Sequence, residues 1–173
     1  MKAIKITAIC IVTTLSGTAF ADIPVARGSY ADINVGYSRI VDSDVMNNVS
    51  GLGLNVNLGY KFMPFFAAEI GYTTYGASKS SFTGANAFDA AIKGILPFQE
   101  VGIELFAKLG PTYVNNSKVP HGVSPNATNV YYALGGAYAM NSNMLIALQW
   151  SQAAGNSNTG NFQLLSIGAS YIF

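Results

Sequence analysis

The sequence predicts an all-β fold, an eight-stranded antiparallel up-and-down transmembrane β-barrel. Three observations support this prediction. Apolar and polar residues alternate with a period of two along segments of about ten residues, which is typical of strands with one apolar and one polar face. After residue 21, no apolar run is long enough for a membrane helix. The connections between the segments are short and long in turn, as in barrels of bacterial outer membranes.

The first 21 residues are predicted to be a secretory signal peptide. Two lysines give a positive start, residues 6–15 form an apolar run, and small residues precede a cleavage site between Ala21 and Asp22. The run is too short to span a bilayer as a helix, which takes about 20 residues. The barrel domain is therefore predicted to cover residues 22–173.

The predicted mature chain carries seven basic and eight acidic residues and no cysteine. A nucleic-acid partner would require a basic patch, so none is predicted. An exported chain without disulfides needs another source of stability, and a closed hydrogen-bonded sheet supplies it. No cofactor is expected, and the barrel is expected to be a monomer surrounded by outer-membrane lipid.

The first three strands have the clearest pattern. In the first strand, Tyr30 to Arg39, apolar residues such as Ile33 alternate with polar residues such as Asp32. After a polar loop, all six even positions of residues 51–62 are apolar, and all six odd positions are small or polar. The alternation resumes at residues 65–75, so this region is predicted to be a hairpin with a proline at its turn.

The other five strands follow at similar intervals. They are predicted at residues 86–96, 101–113, 130–140, 144–152 and 161–173. Phe106 breaks the pattern of the fifth strand, because it is a large apolar residue on the otherwise polar face. Three connections are short, and the four longer ones are polar loops at residues 41–50, 77–85, 114–128 and 153–160. With both termini in the periplasm, this order places the long loops outside the cell.

Alternation alone does not say whether the apolar face points into or out of the barrel, so a soluble lipocalin-like barrel is the alternative. The polar face is rich in Gly, Ala, Ser and Asn, which suit the interior of a narrow barrel. Aromatic residues lie near strand ends, as in the two girdles of a lipid-facing surface. They are Tyr37, Tyr60, Phe62, Phe66, Tyr72, Tyr113, Trp150, Tyr171 and Phe173. The sequence therefore favours an apolar face that contacts lipid.

Five phrases carry a resemblance to a known family. They are NVGY at 34–37, LGYKFMP at 58–64, AEIGY at 68–72, LFAKLG at 105–110 and IGASYIF at 167–173. In this order and spacing, the sequence resembles the OmpA-like, opacity-type family of small outer-membrane barrels. The resemblance implies the outer membrane of a Gram-negative bacterium, without the peptidoglycan-binding domain of larger members. It also implies that Tyr171 and Phe173 form the C-terminal signal that the barrel-assembly machinery recognises.

Five charged residues are predicted to point into the lumen and to form a charge network. Counted from the short turns, Glu69, Lys93 and Glu104 share one layer, and Asp89 and Lys108 share the next. Because a buried charge without a partner costs several kcal/mol, each layer is predicted to be paired internally and to plug the lumen. The alternative is that some of these charges face trapped water.

One side of the lumen is predicted to carry no charge. The family often places inward charges near the positions of Ala137 and Ala147, where this sequence has alanine. Complete closure of the lumen is therefore not predicted on this side.

No catalytic or metal site is predicted. His121 is the only histidine and lies in a loop, with Ser117 and Ser124 as the nearby hydroxyl groups. A nucleophile and its base must be held rigidly within hydrogen-bonding distance, which a loop flanked by proline and glycine does not provide. Asp42 and Asp44 could bind a hard cation only weakly, and a solvated acidic loop is the simpler interpretation.

Three functions are consistent with this sequence. The first is an outer-membrane barrel that acts through its surface loops, by adhesion or contact with a host or the environment, or that maintains envelope integrity. The alternative is a small passive porin-like channel, and the third option is a lipid-modifying enzyme. The sequence names no surface ligand.

Overall fold

Eight antiparallel strands follow one another around a closed barrel. The computed structural model describes residues 27–41, 49–78, 81–116, 126–154 and 161–173. The strands are β1 (Gly28–Val41), β2 (Val49–Met63), β3 (Phe66–Ser78), β4 (Ser81–Phe98), β5 (Ile103–Asn116), β6 (Asn126–Ala139), β7 (Met144–Ala153) and β8 (Asn161–Ile172). Each strand pairs with its neighbours in sequence, and β1 pairs with β8 to close the sheet. The predicted fold class is confirmed.

The alternation in the sequence sets the two faces of the wall. On β2, Asn55 and Asn57 point inward and are each 1% exposed. Between and beyond them, Val56 and Leu58 point outward and are 38% and 56% exposed. The same arrangement continues around the barrel, so large apolar side chains cover its outer surface. The soluble alternative, which needs the apolar face inside, is wrong.

Several strands extend beyond the predicted limits. The polar loop predicted at residues 77–85 is mostly strand, because β3 continues to Ser78 and β4 begins at Ser81. In the same way, β5 continues to Asn116 and β6 begins at Asn126. Polar residues end the alternation of hydrophobicity, but they do not end the ladder of backbone hydrogen bonds. The strands therefore project past the apolar band at this end of the barrel.

Short turns close the opposite end, where Gly28 and Phe173 also lie. Between β4 and β5, a 3-10 turn at Gln99–Val101 is followed by Gly102, whose φ of 67° is left-handed. This conformation suits glycine, which has no Cβ to clash. Between β6 and β7, the Asn141 side chain accepts hydrogen bonds from the backbone N–H groups of Asn143 and Met144, each at 2.9 Å. In the part of the chain that the structure describes, no helix is long and apolar enough to cross a membrane.

The core of the molecule is the barrel interior. Near the short turns, an apolar group fills the lumen, consisting of Tyr30, Ala67, Ile95, Phe106, Ala137 and Leu145. At the opposite end, a second group contains Tyr75, Ala85, Ala87, Val114, Ala153, Phe162 and Leu164. We call these the lower and upper apolar plugs. Polar and charged side chains lie between them or beside them.

Candidate functional site in the barrel lumen

Glu69 is the centre of a buried charge network inside the barrel. Its Oε1 lies 3.3 Å from Nζ of Lys93, and its Oε2 lies 2.6 Å from Nζ of Lys108. The side chains of Glu69 and Lys108 are only 2% and 1% exposed. One carboxylate thus bridges two lysines, with one oxygen toward each of them.

The strand register explains why this bridge is needed. Lys93 on β4 lies directly opposite Lys108 on β5. Like charges in directly opposed positions destabilise a sheet. Glu69 comes from the neighbouring strand β3, where it lies opposite Ala91 of β4. Its carboxylate therefore reaches both ammonium groups and offsets their repulsion.

Two further residues, Asp32 and Lys61, complete the network, and neither was among the charges predicted to form it. Nζ of Lys108 also lies 3.8 Å from Oδ2 of Asp32, on β1. Nζ of Lys61, on β2, lies 3.7 Å from Oε2 of Glu104. Both missed residues are at inward positions of the alternation, and this signal alone could have identified them. Their partners could not be found in the same way, because the contacts cross the lumen.

Glu104 does not lie in the layer where it was predicted. It is opposite Pro97, whereas Lys93 is opposite Lys108, so Glu104 is nearer to the short turns than Lys93 is. The cause is the length of the turn between β4 and β5, which sets the register of the two strands. Glu104 pairs with Lys61 instead of joining Lys93 and Glu69.

Asp89 is buried in the lumen, but the predicted pair with Lys108 is not among the ion pairs of the described residues. It lies opposite Thr112 on β5 and against the backbone of Gly71 on β3. A Cβ at Gly71 would come within 2.5 Å of Oδ1 of Asp89. Glycine at this position therefore makes room for the carboxylate.

Two aromatic side chains of the lower plug contact the charges. The hydroxyl of Tyr30 donates a hydrogen bond of 2.5 Å to Oε1 of Glu69. Nζ of Lys93 lies 5.0 Å from the centre of the Tyr30 ring and 4.6 Å from the centre of the Phe106 ring. At such distances a cation is attracted to the face of an aromatic ring. The two rings therefore help to hold Lys93 in place.

Phe106 also decides how the uncharged side of the lumen is filled. Its ring lies over Gly135, where any Cβ would overlap it. Ala137 belongs to the same apolar plug, and Ala147 packs against that plug. The gap expected beside these alanines is therefore occupied by apolar side chains. The residue that breaks the alternation on β5 is the one that closes this side.

Side-chain amides form a second polar layer, away from the short turns. Nδ2 of Asn34 donates to Oδ1 of Asn55 at 3.0 Å, and Nδ2 of Asn55 donates to Oγ1 of Thr73 at 2.9 Å. Nδ2 of Asn57 also donates to Oδ1 of Asn55, at 2.7 Å. These bonds connect β1, β2 and β3 across the inner wall. They rigidify the lumen between the charge network and the upper plug.

With this geometry established, comparison with known proteins assigns the family. A family model described as outer membrane protein beta-barrel domain matches residues 7–173. The chain belongs to this family. It is therefore a protein of the Gram-negative outer membrane, as the resemblance found in the sequence implied. A search of curated protein sequences finds no significant match.

Several solved structures share the fold of this chain, although their sequences are at most 17% identical to it. Neisserial surface protein A aligns with a TM-score of 0.63 at 17% identity, over 84% of this chain and 97% of that one. Ail, the attachment invasion locus protein of Yersinia pestis, aligns with a TM-score of 0.55 at 16% identity, over 86% and 100%. The N-terminal barrel domain of Pseudomonas aeruginosa OprF aligns with a TM-score of 0.57 at 11% identity, over 86% and 100%.

The other residues of this outer-membrane barrel to which the sequence assigned a possible role lie outside the lumen charge network. Tyr171 and Phe173 are exposed at the end of the barrel that carries the short turns, and their ring centres are 5.2 Å apart. Their role as the assembly signal stays a prediction. The signal peptide, His121, Asp42 and Asp44 lie outside the described residues. Within the described ranges, no group of three or more His, Cys, Asp or Glu side chains is placed to hold a metal ion.

The hydrogen bond from Tyr30 is open to a direct test. Tyr30→Phe removes the donor to Glu69 and keeps the ring, so we expect a loss of roughly 1.5–3 kcal/mol in the free energy of unfolding. Urea unfolding of the refolded barrel, followed by the fluorescence of Trp150, measures this loss. The matched control is Tyr60→Phe, because Tyr60 faces outward and is 52% exposed. Equal unfolding midpoints for the two variants would show that the hydrogen bond does not stabilise the barrel.

Proposed function

We propose that this protein is a closed scaffold that acts at the cell surface through the segments joining its strands on the outer side, and that it does not act as a channel. The burial of the lumen charges is the observation that carries this proposal. A water-filled passage would leave its lining side chains accessible to water. The side chains of Glu69 and Lys108 are instead 2% and 1% exposed.

The two apolar plugs support the same conclusion. In the upper plug, Tyr75, Phe162 and Leu164 are each 0% exposed, and the rings of Tyr75 and Phe162 have centres 5.3 Å apart. In the lower plug, Phe106 is 6% exposed. An ion crossing the barrel would meet an apolar barrier at each end and a neutralised charge cluster near the lower one. This arrangement favours a barrel whose lumen serves stability.

A role in surface contact is also consistent with a protein of the same fold. Ail of Yersinia pestis, an attachment invasion locus protein, has been crystallised with the heparin analogue sucrose octasulfate. That ligand belongs to Ail, and at 15% identity the likeness concerns the fold alone. The Ail complex supports the proposal only as an example, since it shows that a small barrel of this fold can carry a surface that binds an external ligand. The lipid-modifying alternative rested on His121 and stays untested.

Single-channel recording tests whether the scaffold is closed. The mature chain, refolded in a planar bilayer, is expected to give no current steps, because both plugs and the ion pairs fill the lumen. The double variant Lys93→Ala, Phe106→Ala is the positive control, since it removes two groups that fill the lower half. The double variant Phe88→Ala, Leu105→Ala, in which both replaced side chains face lipid, is the matched negative control. Steady conductance of the parent would overturn the proposal and establish the channel alternative.

A loop replacement tests the second half of the proposal. In one variant, residues 42–48 and 117–125 are both replaced by short Gly-Ser linkers. Cells that produce this variant and cells that produce the parent protein are compared for adherence to epithelial monolayers. We expect adherence to fall with the loops replaced while the amount of folded barrel stays the same. Adherence that does not depend on the protein or its loops would leave envelope integrity as the role of the barrel.

A further inference from the structure

We propose that the outer face of β2, β3, β4 and β5 holds a specific site for a glycolipid of the outer leaflet, with its sugar headgroup beside Asn86 and Asn115 and an acyl chain below. The site is on the lipid-facing surface and is independent of the lumen. The strand register places three levels of side chains one below another on neighbouring strands: a polar row, an aromatic row and an apolar cleft.

The upper row of this face is polar. Thr74 lies opposite Asn86, Asn86 lies opposite Asn115, and Asn115 lies opposite Asn126. By the alternation of their strands these side chains point outward, and those of Asn115 and Asn126 are exposed. They are close to the ends of the strands that lead to the long loops. An amide side chain offers both donors and an acceptor, which suits the hydroxyl and amide groups of an amino sugar.

The next row is aromatic. Tyr72 lies opposite Phe88, and Phe88 lies opposite Tyr113. The ring centres of Tyr72 and Phe88 are 4.7 Å apart, and the two side chains are 37% and 60% exposed. Aromatic rings favour this level of a membrane, where one end of the ring is apolar and the other is wet. The C–H face of a sugar ring can pack directly against them.

Two clefts connect these rows with the apolar band. The upper cleft has a volume of about 330 Å³ and is lined by Tyr72, Phe88, Tyr113 and the two asparagines. The lower cleft has a volume of about 410 Å³. Val56, Leu58, Ile70, Tyr72 and Phe88 line it, and the chain at Gly71 and Asp89 lies beneath. Because Tyr72 and Phe88 line both clefts, the two clefts adjoin each other at this ring pair.

The adjacency of a cleft with amides and a cleft with apolar side chains favours one amphiphile over two separate ligands. The lower cleft is bordered by aliphatic and aromatic side chains and lies in the wall that faces hydrocarbon, so an acyl chain fits it. None of the outward-facing side chains that line the two clefts is charged. Recognition of a phosphate group would call for lysine or arginine. The site therefore fits the sugar part of a glycolipid, and not the headgroup phosphate of a phospholipid.

The opposite side of the barrel offers a matched control. Gln152 on β7 and Gln163 on β8 also form an outward-facing amide pair toward the long loops, with a hydrogen bond of 3.0 Å between them. Replacing either pair by leucine keeps a lipid-compatible surface. A difference between the two double variants therefore reports on the proposed site and not on surface polarity in general.

The test uses native mass spectrometry of the refolded mature chain in detergent micelles. The probes are hexa-acylated lipid A from which both phosphates have been removed, so that only sugar and acyl chains remain, and a phosphatidylethanolamine of matched chain length. We expect the parent to retain lipid A in preference to the phospholipid. In the variant Asn86→Leu, Asn115→Leu, retention of lipid A is expected to fall about tenfold or more, since two polar contacts are lost. The variant Gln152→Leu, Gln163→Leu is expected to bind as the parent does.

Three results would overturn the proposal. They are equal retention of the two lipids by the parent, equal loss of lipid A in both double variants, and no retention of lipid A at all. A heat-dependent shift in gel mobility, compared for all three proteins, confirms that each barrel is folded before binding is measured. Since these variants leave the lumen unchanged, the outcome is independent of the conductance experiment.

Discussion

Replacing Glu69 with alanine is expected to destabilise the barrel by roughly 3–5 kcal/mol. The substitution leaves Lys93 and Lys108 buried in directly opposed positions without the carboxylate that bridges them. Asp32 remains near Lys108, at 3.8 Å, and cannot replace both contacts. The free energy of unfolding, obtained from urea titration of the refolded barrel in lipid vesicles, measures the effect.

The matched control for this substitution is Glu100→Ala. Glu100 is exposed in the 3-10 turn between β4 and β5, so its removal changes the same kind of side chain without burying a charge. Surface substitutions of this kind usually change stability by less than about 0.5 kcal/mol. If Glu69→Ala were as mild as its control, the network would not contribute to stability, and the interpretation of the lumen as a stabilising core would fail.

Phe106→Ala is the second substitution with a large expected effect. The ring is 6% exposed, belongs to the lower apolar plug and lies beside Lys93 and Lys108. Truncation of a buried phenylalanine to alanine typically costs about 3–5 kcal/mol, since it removes buried surface and leaves a cavity. We expect a loss in this range in the same unfolding measurement.

The adjacent residue gives the control for Phe106. Leu105 faces outward and is 48% exposed, so Leu105→Ala shortens a large side chain that contacts lipid and not the lumen. A smaller loss of stability is expected for this variant. A second variant, Phe106→Leu, keeps part of the volume and is expected to lie between the parent and Phe106→Ala. The absence of this order would show that the ring does not fill the lumen as described.

Much of the fold could be predicted because it depends on local order in the sequence. In a strand, successive side chains point to opposite faces, so alternation placed Asn55 and Leu58 on opposite faces of the wall. The aromatic residues near the strand ends then assigned the face of Leu58 to lipid, and Leu58 is indeed exposed and Asn55 buried. Turn residues marked where one strand ends and the next begins, and the resulting even number of strands predicted a closed barrel. Strand ends were predicted less well, as β3 and β4 show. The backbone ladder continues through polar residues such as Ser78 and Ser81, where the alternation gives no signal.

The candidate site could be predicted only in part, for a physical reason. The sequence by itself determined which charges point inward, among them Glu69, Lys93 and Lys108. Only the tertiary structure decided that Glu104 pairs with Lys61, because this contact joins strands that are distant around the barrel. Turn length fixes the register, and the closure of the sheet fixes which side chains meet across the lumen. Closure depends on all eight strands together, so the contacts across the lumen are not encoded in any single segment of the chain.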